Sequence, residues 1–259
     1  MKQRILSGLI LLPLPILALY FGTPYFETLM AVCVAVMGWE WEQMVEGRFS
    51  PAGLVMAVTG VVTIYLLDFF SLDVLILPVV VALALFVYAK QKALAHPRLF
   101  AVGVAYATIP LTALVFLRAD FGFMAALWTM GVVWVMDTGA YAFGKLIGGP
   151  KMAPKISPKK TWAGLFGGMA TAALWGALCA HLTGWSDLTV IATVSAVYGA
   201  LSQMGDLLES AVKRYLNVKD SSQLIPGHGG IFDRMDAVLL LAPVSLAGMM
   251  LFPVLRFWG

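Results

Sequence analysis

Long, unbroken apolar runs follow one another along almost the whole chain, and they leave it few ways to fold. They lie near Ile5–Phe21, Tyr25–Trp39, Pro51–Leu67, Val74–Ala89, Leu99–Leu117, Phe121–Met136, Gly164–His181, Leu188–Met204 and Ala237–Leu255. A helix needs ~20 apolar residues to cross a bilayer. In lipid the backbone must satisfy its own hydrogen bonds, so only helices and closed barrels can span. Barrel strands alternate apolar and polar residues, whereas these runs are continuous. The pattern predicts an all-α polytopic membrane protein with about nine transmembrane helices. Several runs are short, so their ends are soft, and the second is the weakest. Composition agrees: 12% of the residues are charged, against ~25% in ordinary soluble domains. The 259 residues leave no room for a sizeable soluble domain beside nine spans.

The cations set an orientation. With a cytoplasmic N-terminus and nine alternating spans, the inner segments hold Lys2, Arg4, Arg48, Lys90, Lys92, Arg98, Lys145, Lys151, Lys155, Lys159, Lys160, Lys213, Arg214, Lys219 and Arg234. Only Arg118 and Arg256 fall outside. That asymmetry follows the positive-inside rule and puts the C-terminus on the opposite side. Lys2 and Arg4 before an apolar run resemble a signal peptide, but no small-residue cleavage site follows, so the run reads as an uncleaved first span. Trp39, Trp41, Trp185 and Trp258 sit at run ends and read as interface anchors. Cys33 and Cys179 lie in apolar runs and form neither a disulfide framework nor a metal spacing. Gly164 and Gly168 form a G-x-x-x-G that offers a helix-packing face.

Chemistry-bearing residues concentrate late in the chain. Residues 1–120 read as an N-terminal transmembrane scaffold half and 121–259 as a C-terminal catalytic half of one integrated membrane domain. Three inner segments stand out: Asp137 through Gly149, Ser157 through Trp162, and Gly205 through Asp236. Asp206, Glu209, Ser210 and Lys213 share one face if helical. Asp206 and Asp233 each stand at a span end on the same side. Ionisable residues there are costly and mark function by default. Paired carboxylates suit Mg²⁺, which binds one or two of them plus substrate phosphates. The loop Pro226-Gly227-His228-Gly229-Gly230 offers backbone N–H groups to an anion, and nearby lysines supply point charges. Blander readings stand beside each: Asp206 paired with Lys213 or Arg214, the glycine loop as a plain turn, and Lys159-Lys160 as a topology signal facing anionic lipid. His228 is open between an acid, a phosphate donor and a loop residue. There is no zinc spacing, no Walker A pattern and nothing that points to nucleic acid.

The run Ser210-x-Val212-Lys213-Arg214-x4-Lys219-Asp220-x-Ser222-x2-Ile225-Pro226-x-His228-Gly229-Gly230-Ile231-x-Asp233-Arg234-Met235-Asp236 resembles the signature of phosphatidate cytidylyltransferases, also called CDP-diacylglycerol synthases. Asp137-Thr138-Gly139-Ala140-Tyr141 and Ser157-Pro158-Lys159-Lys160-Thr161-Trp162 resemble the same family. The N-terminal half agrees only in hydropathy. Ala163 departs from the pattern, where the family usually has Glu.

The resemblance implies a CTP-dependent nucleotidyltransferase of phospholipid biosynthesis: CTP plus phosphatidate gives CDP-diacylglycerol plus pyrophosphate. It implies Mg²⁺ at Asp206 and Asp233, allows a monovalent cation such as K⁺ beside it, and implies a homodimer in a bacterial inner membrane with its site facing the cytoplasm. Asp206, Asp233, Lys213, Lys160 and Asp236 are then the expected catalytic residues. Ser157, Lys159, Thr161, Ser210, Arg214, Lys219, Asp220, His228, Gly229, Gly230, Arg234 and Asp137 are expected to bind or orient substrate. A lipid kinase using CTP, and a transporter or channel, are the competing readings; the clustering of charge at one face argues against the second.

Overall fold

The structure is a computed structural model, and it describes residues 13–184, 187–225, 227 and 229–256. Eight of the nine apolar runs overlap a described helix along most of their length, and of the first, Ile5–Phe21, only residues 13–21 are described, as a short helix. The helices are α1 (Pro13–Phe21), α2 (Tyr25–Glu46), α3 (Pro51–Phe70), α4 (Ile76–Gln91), α5 (Pro97–Asp120), α6 (Gly122–Leu146), α7 (Trp162–Leu182), α8 (Leu188–Tyr215) and α9 (Phe232–Leu251). A 3-10 turn, Ser71–Leu75, joins α3 to α4. Six segments are long and apolar enough to cross a membrane, with Pro51–Gln91 counted as one continuous stretch. The protein is therefore an all-α membrane protein. Helix α2 falls outside that set because it carries Glu27, Glu40, Glu42 and Glu46.

Three helices outrun their apolar cores. Helix α8 continues past Met204 to Tyr215, α6 runs past Met136 to Leu146, and α9 starts at Phe232 rather than Ala237. Asp206, Asp137, Asp233 and Asp236 therefore sit within helices rather than in loops, with fixed backbone directions. One small element is not helical. Strands β1 (Lys151–Ala153) and β2 (Ser157–Thr161) pair antiparallel, with Lys151 opposite Thr161 and Ala153 opposite Ser157.

The chain clusters into two compact units. The first comprises residues up to Ala119 together with Tyr215–Met235; the second comprises Asp120–Arg214 and Asp236 onward. In the first unit, Trp41 is buried to 1% exposure. Its ring packs against Tyr106 and Phe232, and its Nε1 donates to Leu99 O at 2.9 Å. It is a core residue, not an interface anchor, because α2 is internal at this level. Trp39 is half-buried. Trp185, Trp258, Lys2 and Arg4 lie outside the described residues.

In the second unit, α6 packs on α7 through small residues. A Cβ on Gly164 would lie 2.8 Å from Ala140 O, and one on Gly168 would lie 2.5 Å from Met136 Sδ. The G-x-x-x-G pair is thus a packing face, as such pairs are in membranes. Thr129 and Ser245 bond through their buried hydroxyls at 2.7 Å, and Trp128 Nε1 donates to Ser195 Oγ at 2.8 Å. These are polar contacts between apolar helices. Cys33 is half-buried and Cys179 buried, both as free thiols.

Candidate active site

In the second unit the site is built on α8. Offsets of three and four place Asp206, Glu209, Ser210 and Lys213 along one helix face. The contacts bear this out: Ser210 Oγ donates to Asp206 Oδ1 at 3.2 Å, and Lys213 Nζ lies 2.5 Å from Glu209 Oε2. Asp206 takes a salt bridge from outside α8. Its partner is Lys160 on β2, with Nζ 2.5 Å from Oδ2. The hairpin exists to make that reach. Arg214 Nε donates to Ile156 O at 3.4 Å, tying the hairpin turn to the end of α8.

Strand geometry separates two residues that adjacency in sequence had joined. Successive side chains on a strand point to opposite faces. Lys160 turns to Asp206, and Lys159 is exposed on the other side. Thr161 closes the strand. It is buried, and its Oγ1 accepts from Gly164 N at 3.0 Å, capping α7. Ser157 is half-buried at the other end of β2.

Asp236 completes this cluster. A Cβ on Gly205 would lie 2.9 Å from Asp236 O, so only glycine lets α8 and α9 approach here, directly beside Asp206. The charges of Asp206, Glu209 and Asp137 all act on the Asp236 carboxyl. Asp236 Oδ1 accepts from Ala237 N at 2.7 Å. Asp206, Glu209 and Asp137 thus lie within electrostatic reach of Asp236, with Lys160 and Lys213 paired to two of them. All the acidic donors are hard oxygens, the chemistry Mg²⁺ selects. Among the described residues no three acidic, His or Cys side chains converge as a ready-made cation cage. That is compatible with an ion completed by water and substrate phosphate, the usual habit of Mg²⁺.

In the first unit, Asp233 is organised by a different set of contacts. Its Oδ2 accepts from Ser221 N, Ser221 Oγ and Gly230 N, each at 2.8 Å. A Cβ on Gly229, whose φ is +83°, would lie 2.6 Å from Asp233 Oδ2. One on Gly230 would overlap Glu40 Oε1 and Ser221 Oγ. The glycines are required by close approach to carboxylates. The N–H groups of Gly230, Ile231 and Phe232 are given to Asp233 and Glu40. In this state they hold protein side chains rather than wait for an outside anion. Ile225 N donates to Gly229 O at 2.8 Å, closing the loop. Lys219, Asp220 and Arg234 are exposed around it. His228 lies outside the described residues.

Sequence reasoning passed over Glu40, Ser221, Ser222 and, as a member of the acidic cluster, Glu209. The signal for Glu40 was available. It is an acid directly at the end of an apolar run, which is a functional candidate by default.

The comparisons with known proteins fit this arrangement. A profile of the cytidylyltransferase family matches residues 2–252. The chain is 33% identical to the phosphatidate cytidylyltransferase of Haemophilus influenzae over 94% of its own length and 96% of that protein's. It is 30% identical to the phosphatidate cytidylyltransferase of Rickettsia bellii, covering 93% of this chain and 87% of that protein. It is 43% identical to the phosphatidate cytidylyltransferase of Brucella suis across a shorter match, 55% of this chain and about half, 53%, of that protein's length. With its matching profile running through both units and the Haemophilus influenzae relative aligned nearly end to end, the chain belongs to the cytidylyltransferase family.

Proposed function

We propose that this protein is a phosphatidate cytidylyltransferase, transferring CMP from CTP to phosphatidate with release of pyrophosphate. The observation that carries the reading is the Lys160–Asp206 ion pair beside Asp236, Glu209 and Lys213. It is a mixed-charge cluster at the ends of membrane helices, in a chain of this family.

The chemistry asks for such a cluster. The second pKa of a phosphate monoester is ~6, so the lipid phosphate is largely ionised at neutral pH and needs no strong base. One of its oxygens attacks the α-phosphorus of CTP, the bond from that phosphorus to the bridging oxygen breaks, and pyrophosphate leaves with the electron pair. The barrier is the approach of an anion to a polyanion, so positioning and charge neutralisation dominate. Lys160 and Lys213 supply positive charge on side chains already oriented by Asp206 and Glu209. Arg214 and the exposed Lys219 stand near Lys213 in sequence as further phosphate contacts. Mg²⁺ is the proposed cofactor, with Asp206 and Asp233 as its candidate carboxylates. When bound it would neutralise phosphate charge.

The cation asymmetry supports nine crossings in a bacterial inner membrane with this chemistry facing the cytoplasm. A homodimer follows from the resemblance to the family. The deciding experiment supplies purified protein with Mg²⁺, phosphatidate and CTP labelled in the cytidine or in the γ-phosphate. Cytidine label in lipid, with pyrophosphate released, is expected. Transfer of the γ-label instead would make the protein a lipid kinase. Asp206→Asn and Asp233→Asn should abolish turnover while the protein still inserts; near-normal turnover in either removes that residue from the site.

A further inference from the structure

Among the buried carboxylates of helix α2, one reaches the loop that holds Asp233. Glu40 is 0% exposed. Its Oε1 accepts from Ser222 Oγ at 2.6 Å and Ile231 N at 3.0 Å. Its Oε2 accepts from Phe232 N at 2.8 Å and faces Ser221 Oγ at 3.3 Å. Each oxygen therefore faces one polar group from each end of the segment 221–232. Burying a carboxylate is costly unless it is well hydrogen-bonded. Three donors, the Ser222 hydroxyl and the N–H groups of Ile231 and Phe232, meet that condition. Two of them are N–H groups at the start of α9, where a helix favours negative charge.

The neighbouring residue reinforces the same point. Trp41 packs on the ring of Phe232, with centroids 5.3 Å apart. Glu40 and Trp41 thus grip Ile231 and Phe232 by polar and apolar contacts together. The segment they grip is the one that fixes Asp233. Ser221 N, Ser221 Oγ and Gly230 N all terminate on Asp233 Oδ2. Ser221 has a single hydroxyl proton and two carboxylate oxygens within reach. The shorter contact gives that proton to Asp233, so Glu40 holds the loop chiefly through Ser222 and the two N–H groups.

We propose that Glu40 is the positioning residue for Asp233: it clamps both ends of the 221–232 loop and thereby sets the orientation of the Asp233 carboxylate for nucleotidyl transfer. The proposal rests on the reading of Asp233 as part of the transferase site. Glu40 acts through the loop and is not itself a catalytic residue.

Glu40→Gln is the discriminating variant. An amide nitrogen cannot accept from an N–H, so one of the two backbone contacts, to Ile231 N or Phe232 N, is lost with little change in shape. In the purified full-length protein, kcat should fall at least tenfold with KM for CTP within threefold of wild type. Amide exchange in a peptide covering 221–233 should rise, while exchange in α2 itself stays slow. Normal kcat in Glu40→Gln, or reduced kcat with unchanged loop exchange, would overturn the proposal. If Glu40→Gln is not recovered folded, Ser222→Ala decides by the same measurements: a threefold to tenfold loss of kcat with faster loop exchange supports the clamp, and wild-type behaviour overturns it. Asp233→Asn separates the two levels. Loss of activity there with normal activity in Glu40→Gln sinks only the clamp; retained activity in Asp233→Asn sinks the reading beneath it as well.

Discussion

Lys160 Nζ lies 2.5 Å from Asp206 Oδ2, bringing a strand residue against a helix residue. Both side chains are largely shielded, at 15% and 27% exposure. Removing the ammonium leaves a partly buried carboxylate beside other negative charges. Lys160→Met should therefore lower kcat by at least ~100-fold, the scale of losing one preorganised electrostatic contact. Lys160→Arg should recover only part of that, because a guanidinium fork does not replace a point charge. Lys159→Met, on the opposite strand face, should stay within about threefold of wild type, as expected of an exposed charge. Steady-state formation of CDP-diacylglycerol reads all three. Equal losses at Lys159 and Lys160 would contradict the strand's facing.

Asp236 tests the acidic cluster. Asp236→Asn removes the carboxyl group on which Asp206, Glu209 and Asp137 act. The half-saturating Mg²⁺ concentration should rise by about tenfold, the lower end of the range for residues that support a metal ligand. A chelator should abolish wild-type turnover and Mg²⁺ should restore it. An unchanged Mg²⁺ profile in the variant would detach Asp236 from cation binding.

Thr161 distinguishes a cap from a substrate contact. Its Oγ1 accepts from Gly164 N at 3.0 Å. Thr161→Val removes that acceptor and should destabilise the protein by ~1 kcal/mol, with KM for CTP within about twofold of wild type. Thr161→Ser should behave as wild type. Thermal unfolding in detergent and CTP kinetics are the paired measurements. A large rise in KM at unchanged stability would instead give the hydroxyl to a phosphate.

Gly164 tests the α6–α7 contact. A methyl group there meets a backbone oxygen, Ala140 O at 2.8 Å, which cannot rotate away. Gly164→Ala should cost ~1–3 kcal/mol, the usual range for overpacking, and lower the unfolding midpoint. Ala170→Leu, at an exposed position of the same helix, should stay within ~0.5 kcal/mol. Equal stability of the two variants would mean the helices are not held this close.

The amino-acid order by itself determined the helices and the chemistry on offer. The apolar runs from Tyr25 onward each became a helix, because hydrophobic length and backbone self-satisfaction are local properties. The segments around Asp206, Lys160 and Asp236 were legible for the same reason: charge at the end of an apolar run stands out. Pairing was not legible. Lys160 meets Asp206 across 46 positions in sequence, and Glu40 meets Ser222 across 182. Only tertiary structure brings such partners together, because side-chain contacts depend on strand alternation, helix phase and how closely glycines let backbones approach. Trp41 shows the same limit. At the end of an apolar run it looked like an interface anchor, and the packing of Tyr106 and Phe232 around it made it core. The glycine loop's donors were visible in the sequence. That Gly230 N would be given to the chain's own buried Asp233, and the next two N–H groups to Glu40, was decided by the fold.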